Sequence, residues 1–246
     1  AVGSKARILY AKGSNLDEDE ALETNSTLFG KSLHRDKRSA AAIRDEAVRI
    51  ARNADVIVAA VGEAAEMSGE AASRTNIEIP ETQRELLKAL LKTGKPVVVV
   101  LFTGRPLALT WEHKNIPAIL NVWFGGSEAG DAIADVLFGD VNPSGKLSAT
   151  FPQNVGQIPI YYAHKNTGRP LRGQWFQKFQ SNYLDVSNEP LYPFGYGLSY
   201  TTFGYGDLYL NKTEVTASDS ITVSIDVTNT GSRDGAEVVQ LYIRDL

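Results

Sequence analysis

Residues 55–102 read DVIVAAVGEAAEMSGEAASRTNIEIPETQRELLKALLKTGKPVVVVLF, and they carry most of the information about the fold class. The stretch opens and closes on short apolar runs, at residues 56–61 and 96–102, that are typical of strands buried on both faces. Between them lie a loop and a helical segment over residues 80–92, with proline near its start and glycine just after its end. This order predicts a parallel βαβ unit.

The same alternation continues on both sides of this stretch. Before it, residues 39–54 place small and branched apolar residues at helical spacing, which predicts an amphipathic helix that faces the core. After it, residues 118–124 (AILNVWF) form a third apolar run, and residues 127–139 form a further helical segment that ends at a glycine. The sequence therefore predicts an α/β domain whose mostly parallel sheet is covered by helices on both faces.

The character of the sequence changes after Pro143. Residues 151–200 are rich in proline, glycine, asparagine and aromatic residues, which predicts a long loop that connects or wraps domains. From residue 201, three segments alternate apolar and polar residues, namely DLYLNKTEV, SITVSIDVTNTG and AEVVQLYIRD. They predict the beginning of an all-β sandwich. Because the sequence starts without methionine and stops on a predicted strand, we expect a piece of a longer polypeptide.

Composition and charge argue against several classes of function. The 246 residues carry a formal net charge of −4, whereas nucleic-acid binding needs a basic surface, so we expect no nucleic-acid partner. No apolar run approaches the roughly 20 residues of a membrane-spanning helix, so we expect no membrane partner. The chain has no cysteine and its histidines, His34, His113 and His164, are far apart, so we predict no metal site. GDVNPSGK has the wrong length for a phosphate-binding loop, and we predict no cofactor.

Carboxylate chemistry is the option that these exclusions leave. Glu63, Glu66 and Glu70 lie within eight residues of one another, after the first predicted strand, where α/β sheets bind ligands. A serine and a glycine precede Glu70 and two alanines follow it, and such small residues let a loop backbone lie close to a ligand. We therefore predict Glu70 as the functional carboxylate. We expect Glu66 to be exposed, and Arg74 to pair with a neighbouring carboxylate or to hold the loop.

Several motifs in the chain resemble one family. GEAAEMSGEAASRTNIEIPETQRELLKAL, VVVVLFTGRPLAL, NVWFGGSEAGDAIADVLFGDVNPSGKLSATFPQNVGQIPIYY, NTGRP and LYPFGYGLSYTTF together resemble the C-terminal half of family 3 glycoside hydrolases. They are most similar to periplasmic bacterial β-glucosidases. The similarity runs from about residue 5 to the end of the chain, and GDVNPSGKL and YPFGYGLSYT are its most specific segments.

This resemblance implies a division into domains. Residues 1–150 would form a flavodoxin-like αβα sandwich, residues 151–200 an extended linker that wraps it, and residues 201–246 the beginning of a fibronectin-III-like β-sandwich. In the family, an N-terminal (β/α)8 barrel precedes this region and carries an aspartate nucleophile. The resemblance therefore implies that a barrel of the same polypeptide is a partner of this chain.

The resemblance also implies roles for individual residues. The acid/base glutamate of the family lies on a loop after a sandwich strand, in a context like MSGEAASR, and so corresponds to Glu70. Met67 and Ser68, directly before it, are implied as substrate-binding residues. Arg169 in NTGRP is a further substrate-binding candidate, with a salt bridge inside the long loop as the alternative. Trp175 is the aromatic residue that we expect to line a sugar subsite.

The implied reaction is hydrolysis of terminal β-D-glucosyl residues with retention of configuration, on a β-linked oligosaccharide or an aryl glycoside. The barrel aspartate would attack the anomeric carbon, while Glu70 would protonate the leaving oxygen and then deprotonate water. Because the nucleophile lies on the barrel, we expect this chain alone to be inactive. The resemblance also implies a periplasmic or secreted location.

Three alternatives stay open. A β-xyloside or an arabinoside would be the substrate instead of a glucoside, since much of the sugar subsite belongs to the barrel. A non-catalytic carbohydrate-binding or scaffold module would share the fold without the reaction. A flavodoxin-like nucleotide or flavin protein is disfavoured, because the sequence has no phosphate-binding loop.

Overall fold

The computed structural model describes residues 6–25, 34–165, 167–171 and 177–243. The chain divides into two compact units. The larger unit is drawn from Val2–Gly130 and Ala149–Phe194, and the smaller unit from Asp131–Ser148 and Gly195–Leu246. The domain boundaries expected at residues 150 and 200 stay predictions.

A three-stranded parallel sheet lies in the larger unit. Its strands are β1 (Ile57–Gly62), β2 (Val97–Phe102) and β3 (Ala118–Asn121), in the order β1-β2-β3. Ile57 pairs with Val97, and both strand pairings are parallel, so all three strands end at the same edge of the sheet. The βαβ unit predicted from the apolar runs is confirmed.

Burial differs between the central strand β2 and the edge strand β1. In β2 the neighbouring side chains of Val99 and Val100 are both buried, so both faces of that strand are covered. In β1 the side chain of Ala59 is buried but that of Val58 is 50% exposed. The expectation that the run at residues 56–61 is buried on both faces is therefore wrong. An apolar run looks the same in a central and in an edge strand, so its sequence alone does not distinguish them.

The described residues form five α-helices and two short 3₁₀ helices. The α-helices are α1 (Glu20–Asn25), α2 (Ala40–Ala51), α3 (Glu81–Leu91), α4 (Thr110–Asn115) and α5 (Ala129–Phe138). The 3₁₀ helices are Ala65–Met67 and Val155–Gln157. The helices predicted over residues 39–54, 80–92 and 127–139 correspond to α2, α3 and α5.

Helices α2 and α3 begin where local chemistry favours it. Ser39 Oγ accepts a hydrogen bond of 3.2 Å from the Ala42 N–H and so satisfies a free donor at the start of α2. Helix α3 starts directly after Pro80, which lies at the N-cap position with an extended backbone. The apolar side chains of Ile43 on α2 and Leu87 on α3 are fully buried. The two helices pack against each other, and α3 also packs against β1.

The smaller unit contains two antiparallel strand pairs. They join β4 (Phe203–Tyr205) with β7 (Val227–Asn229), and β5 (Tyr209–Leu210) with β6 (Val223–Ser224). The expected change from a parallel α/β fold to an antiparallel β fold is thus confirmed. The strand predicted in AEVVQLYIRD is wrong, because residues 236–243 of the described chain form none. Alternating apolar residues form a strand only where another strand supplies hydrogen bonds.

Candidate active site

The candidate site lies at the edge of the sheet where the parallel strands end, which is where open α/β sheets bind ligands. Residues 63–74, here called the glutamate loop, follow β1 directly and include the 3₁₀ helix Ala65–Met67. The segment that begins at Thr103 follows β2. Hydrogen bonds between these two segments hold the loop that carries Met67, Ser68 and Glu70.

Glu70 is exposed and lies between two residues with positive φ. Gly69, before it, has a φ of 108°, and Ala71, after it, has a φ of 55°. Such a backbone is easy for glycine but strained for alanine, at a cost of about 1–3 kcal/mol. The chain therefore turns sharply on both sides of Glu70 and leaves its carboxylate in solvent.

Glu63, on the same loop, is buried, and its side chain is 0% exposed. Its Oε1 accepts a hydrogen bond of 2.7 Å from Arg74 Nη1, and its Oε2 accepts one of 2.8 Å from Thr103 Oγ1. Arg105 Nε lies 3.1 Å from Glu63 Oε1, as an ion pair without the angle of a hydrogen bond. A buried carboxylate needs such partners, because an unpaired charge in the interior is costly. The predicted pairing of Arg74 with a neighbouring carboxylate is confirmed.

Arg105 joins the segment after β2 to the glutamate loop. Its Nη2 donates a hydrogen bond of 2.7 Å to the carbonyl oxygen of Ala72 and another to that of Met67. These two carbonyls lie on either side of Glu70 in the sequence. One guanidinium group therefore closes the part of the loop that carries Glu70.

Met67 and Ser68, predicted to bind substrate, both contact the protein itself. Met67 is 5% exposed, and its sulfur accepts a hydrogen bond of 3.4 Å from the Ala64 N–H. A Cβ atom at Gly104 would lie 2.3 Å from Ser68 Oγ, so the half-buried Ser68 packs directly on that glycine. In this arrangement both side chains fix the loop, and their roles in substrate binding stay predictions.

Arg169 is not joined to the glutamate loop. Its side chain is exposed, and its backbone carbonyl accepts a hydrogen bond of 2.8 Å from the Ser181 N–H. Among the residues that the structure describes, no hydrogen bond or ion pair connects Arg169 to residues 63–74. Its substrate-binding role and the alternative salt bridge both stay predictions. Trp175 lies outside the described residues.

The sequence alone missed the burial of Glu63 and its contacts with Thr103 and Arg105. Thr103 is 40 residues after Glu63, so no local pattern links the two. The sequence nevertheless contained a signal for the contact between Glu63 and Thr103, because each of these two residues follows the end of a predicted strand. Gly62 pairs with Phe102 in the sheet, and the residues that follow a paired strand end become neighbours.

The described site offers exposed carboxylates on a loop held by buried ion pairs. Glu66 is exposed, as predicted. Across residues 6–25, 34–165, 167–171 and 177–243 no group of three or more His, Cys, Asp or Glu side chains could hold a metal ion. No helix in the same residues is long and apolar enough to cross a membrane.

Comparison with known proteins finds a family match. The family model described as the glycosyl hydrolase family 3 C-terminal domain matches residues 6–200. The sequence is 54% identical over 246 residues to a periplasmic beta-glucosidase of Salmonella typhimurium, and the aligned region covers 100% of this chain and 32% of that protein. It is 42% identical over 244 residues to a beta-xylosidase of Formosa agariphila, and the aligned region covers 99% of this chain and 30% of that protein. The chain thus spans about a third of the length of these curated relatives.

Solved structures are similar as well. The beta-glucosidase from Listeria innocua in complex with glucose matches with a TM-score of 0.74 and 42% identity, over 80% of this chain and 27% of that chain. A β-glucosidase from Erythrobacter marinus matches with a TM-score of 0.74 and 38% identity, over 93% of this chain and 30% of that chain. The mixed α/β fold with antiparallel strands near its C-terminal end is therefore shared with these enzymes.

Proposed function

Because the chain belongs to glycosyl hydrolase family 3, through the C-terminal domain that its residues 6–200 match, we propose that it supplies the acid/base glutamate of a retaining β-glucosidase. That residue is Glu70. The observation that carries the proposal is its exposed position between two residues of positive φ, on a loop held on both sides of it by Arg105. A loop backbone held in this way keeps the exposed carboxylate where a substrate outside the unit can reach it.

The second carboxylate comes from an aspartate on an N-terminal (β/α)8 barrel of the same polypeptide. Retaining glycosidases use two carboxyl groups about 5–5.5 Å apart. The exposure of Glu70 suits a site shared with another domain, because the second carboxylate and the sugar then approach it from outside. The relative from Salmonella typhimurium is long enough for such a partner, since this chain covers 32% of it.

The reaction has two steps. In the first, the aspartate attacks the anomeric carbon, the bond to the leaving oxygen breaks, and Glu70 gives its proton to that oxygen. In the second, the ionised Glu70 takes a proton from water, whose oxygen attacks the anomeric carbon and displaces the aspartate. The sugar keeps its β configuration, and Glu70 ends the cycle protonated.

The substrate is a terminal β-glucosyl residue of an oligosaccharide or an aryl glucoside. The relative that is 54% identical supports this choice, since its name is that of a β-glucosidase, and the same name supports a periplasmic or secreted location. A β-xyloside is the second candidate, because the 42% identical relative is named a β-xylosidase, and an arabinoside is a third. The kcat/KM of the full-length protein on nitrophenyl β-glucoside, β-xyloside and arabinoside decides among them, and a preference for the glucoside supports the proposal.

The acid role predicts a selective defect in Glu70→Gln. In the full-length protein, which carries the barrel and this chain, kcat/KM for cellobiose should fall by about 10²–10⁴-fold, the factor that general acid–base catalysis supplies. It should fall far less for a dinitrophenyl β-glucoside, whose leaving oxygen needs no proton. Initial rates on both substrates measure the difference.

Glu66→Gln is the matched control for this variant. Glu66 is exposed on the same loop and has no assigned role, so its substitution should change kcat/KM by no more than about twofold on either substrate. An equal loss on both substrates in Glu70→Gln would contradict the acid role. No loss on either substrate would favour a non-catalytic carbohydrate-binding or scaffold module.

A further inference from the structure

Arg105 contacts the glutamate loop on both sides of Glu70, and neither step of the proposed reaction gives its side chain a role. We propose that Arg105 is a positioning residue: its guanidinium, anchored by the buried Glu63, sets the place of the Glu70 carboxylate. The inference rests on the proposed acid/base function of Glu70. It assigns to Arg105 no contact with the substrate.

The loop around Glu70 has little structure of its own. The hydrogen bond that spans it, from the Ala72 N–H to the Gly69 carbonyl, is long at 3.4 Å. By contrast, Arg105 Nη2 donates to the Ala72 carbonyl at 2.7 Å and also to the Met67 carbonyl. A single nitrogen atom thus links the two ends of the turn. The restraint on Glu70 comes from outside the loop.

Glu63, which anchors Arg105, is placed by the sheet. Glu63 directly follows β1, and Arg105 lies three residues after the end of β2. Gly62 pairs with Phe102 at the ends of these strands. The Glu63 carboxylate, 0% exposed, forms an ion pair with Arg105 Nε at 3.1 Å and so keeps the charged end of Arg105 beside the end of β1. The position of Glu70 is therefore set by the two paired strands.

An arginine is needed for this arrangement, and a lysine does not replace it. The planar guanidinium presents Nε to Glu63 while Nη2, at the far end of the group, reaches the two carbonyls. A lysine has one ammonium nitrogen at the end of a flexible stem. It can balance the charge of Glu63 or bind the loop carbonyls, but it does not span both.

Arg74 provides the matched comparison. It donates to the same Glu63 oxygen at 2.7 Å, but its other hydrogen bond goes to the Glu78 carbonyl at 3.2 Å, beyond the glutamate loop. Arg74 therefore shares the charge balance with Arg105 without holding the turn around Glu70. Lysine at either position keeps the formal charge of the side chain, and only the Arg105 variant alters a side chain that contacts the turn.

The first test compares Arg105→Lys with Arg74→Lys in the full-length protein. Because a displacement of about 1 Å can cost about 100-fold, we expect Arg105→Lys to lower kcat/KM for cellobiose by about 10- to 100-fold. The loss on a dinitrophenyl β-glucoside should be much smaller, since protonation of that leaving group is not needed. Arg74→Lys should leave the ratio of the two rates unchanged. Equal losses on both substrates in Arg105→Lys would overturn the inference.

A double variant tests whether Arg105 acts through Glu70. If it does, adding Arg105→Lys to Glu70→Gln should lower the cellobiose rate by no more than about a further twofold, because coupled residues are not additive. Losses that multiply would overturn the inference. Arg105→Gln, which is neutral but keeps an N–H donor, is the second variant if the lysine variant does not fold.

Amide hydrogen exchange in the full-length protein tests the contact without reference to activity. The amides of residues 70–72 should exchange at least about tenfold faster in Arg105→Lys and at the native rate in Arg74→Lys. Unchanged exchange in Arg105→Lys would overturn the inference. If Glu70→Gln itself shows no selective defect, the proposed function fails, and the exchange rates still decide whether Arg105 holds the loop.

Discussion

Two glutamates on one loop, Glu63 and Glu70, have opposite surroundings. Glu63 is buried between two guanidinium groups, whereas Glu70 is exposed between residues of positive φ. The small neighbours of Glu70 predicted a loop backbone that can lie close to a ligand, and the structure adds that the backbone turns at Gly69 and Ala71. The pairing of Arg74 with Glu63 was also predictable, because the two are only 11 residues apart. The contact of Glu63 with Arg105 was not, since it depends on the register of β1 and β2.

Gly104 makes room for the glutamate loop, and this predicts a defect in Gly104→Ala. A Cβ atom there would lie 2.3 Å from Ser68 Oγ and 2.7 Å from Phe124 Cε2. We expect overpacking to lower the free energy of unfolding by about 1–3 kcal/mol. The displaced loop should also lower kcat/KM for cellobiose in the full-length protein by about tenfold or more. Urea unfolding and initial rates measure the two effects.

Gly126→Ala is the control for this substitution. A Cβ atom at Gly126 would meet no atom within 4 Å, so no clash is expected there. Its unfolding free energy and its cellobiose rate should both stay close to those of the unsubstituted protein. The close packing of Ser68 on Gly104 would be contradicted if both alanine variants behaved alike.

The sequence predicted the presence of most helices and strands better than it predicted the residues at which they begin and end. The four valines of β2 correctly predicted a strand buried on both faces, because β-branched residues suit a covered sheet. Strand β3 ends at Asn121, before the expected residue 124, and the φ of 51° at Trp123 takes the chain out of the extended conformation. The exposed face of β1 was not predictable, since it depends on which strand forms the edge.

A buried ion pair joins α3 to α4 and predicts a large effect of Glu112→Ala. Arg84 Nε on α3 donates to Glu112 Oε1 on α4 at 2.9 Å, and the Glu112 side chain is 1% exposed. Removing one member of a buried pair leaves the other charge without its partner and costs about 3–5 kcal/mol. Arg84 keeps Glu78 at 3.0 Å, so we expect about 3 kcal/mol, measured by urea unfolding.

Glu85→Ala is the matched control on α3. The Glu85 side chain is partly exposed, and its Oε1 lies 2.7 Å from Lys88 Nζ on the helix surface. Exposed pairs contribute little to stability because solvent screens them, so this variant should lose much less than Glu112→Ala. Equal losses in the two variants would mean that the buried pair does not hold α3 against α4.

For the molecule as a whole, the chain spans about a third of the length of its curated relatives. The proposed reaction is divided accordingly: Glu70 lies in this chain, and the nucleophile lies on the barrel. We therefore expect this chain alone to release no nitrophenol from an aryl β-glucoside, because double displacement needs its nucleophile. Absorbance of the released nitrophenol measures this, with the full-length protein as positive control. If the chain alone released nitrophenol and Glu70→Gln abolished that release, the proposed division of the reaction would be contradicted.

The acid/base role of Glu70 is tested most directly by the product that Glu70→Gln forms with azide. In the full-length variant, a dinitrophenyl β-glucoside should still form the glucosyl–aspartate intermediate, but water attacks it slowly without a general base. Azide needs no proton removed and attacks from the face that water would use. We predict that azide accelerates the variant and that the product is β-glucosyl azide. Formation of α-glucosyl azide, or no acceleration by azide, would contradict the assignment of Glu70.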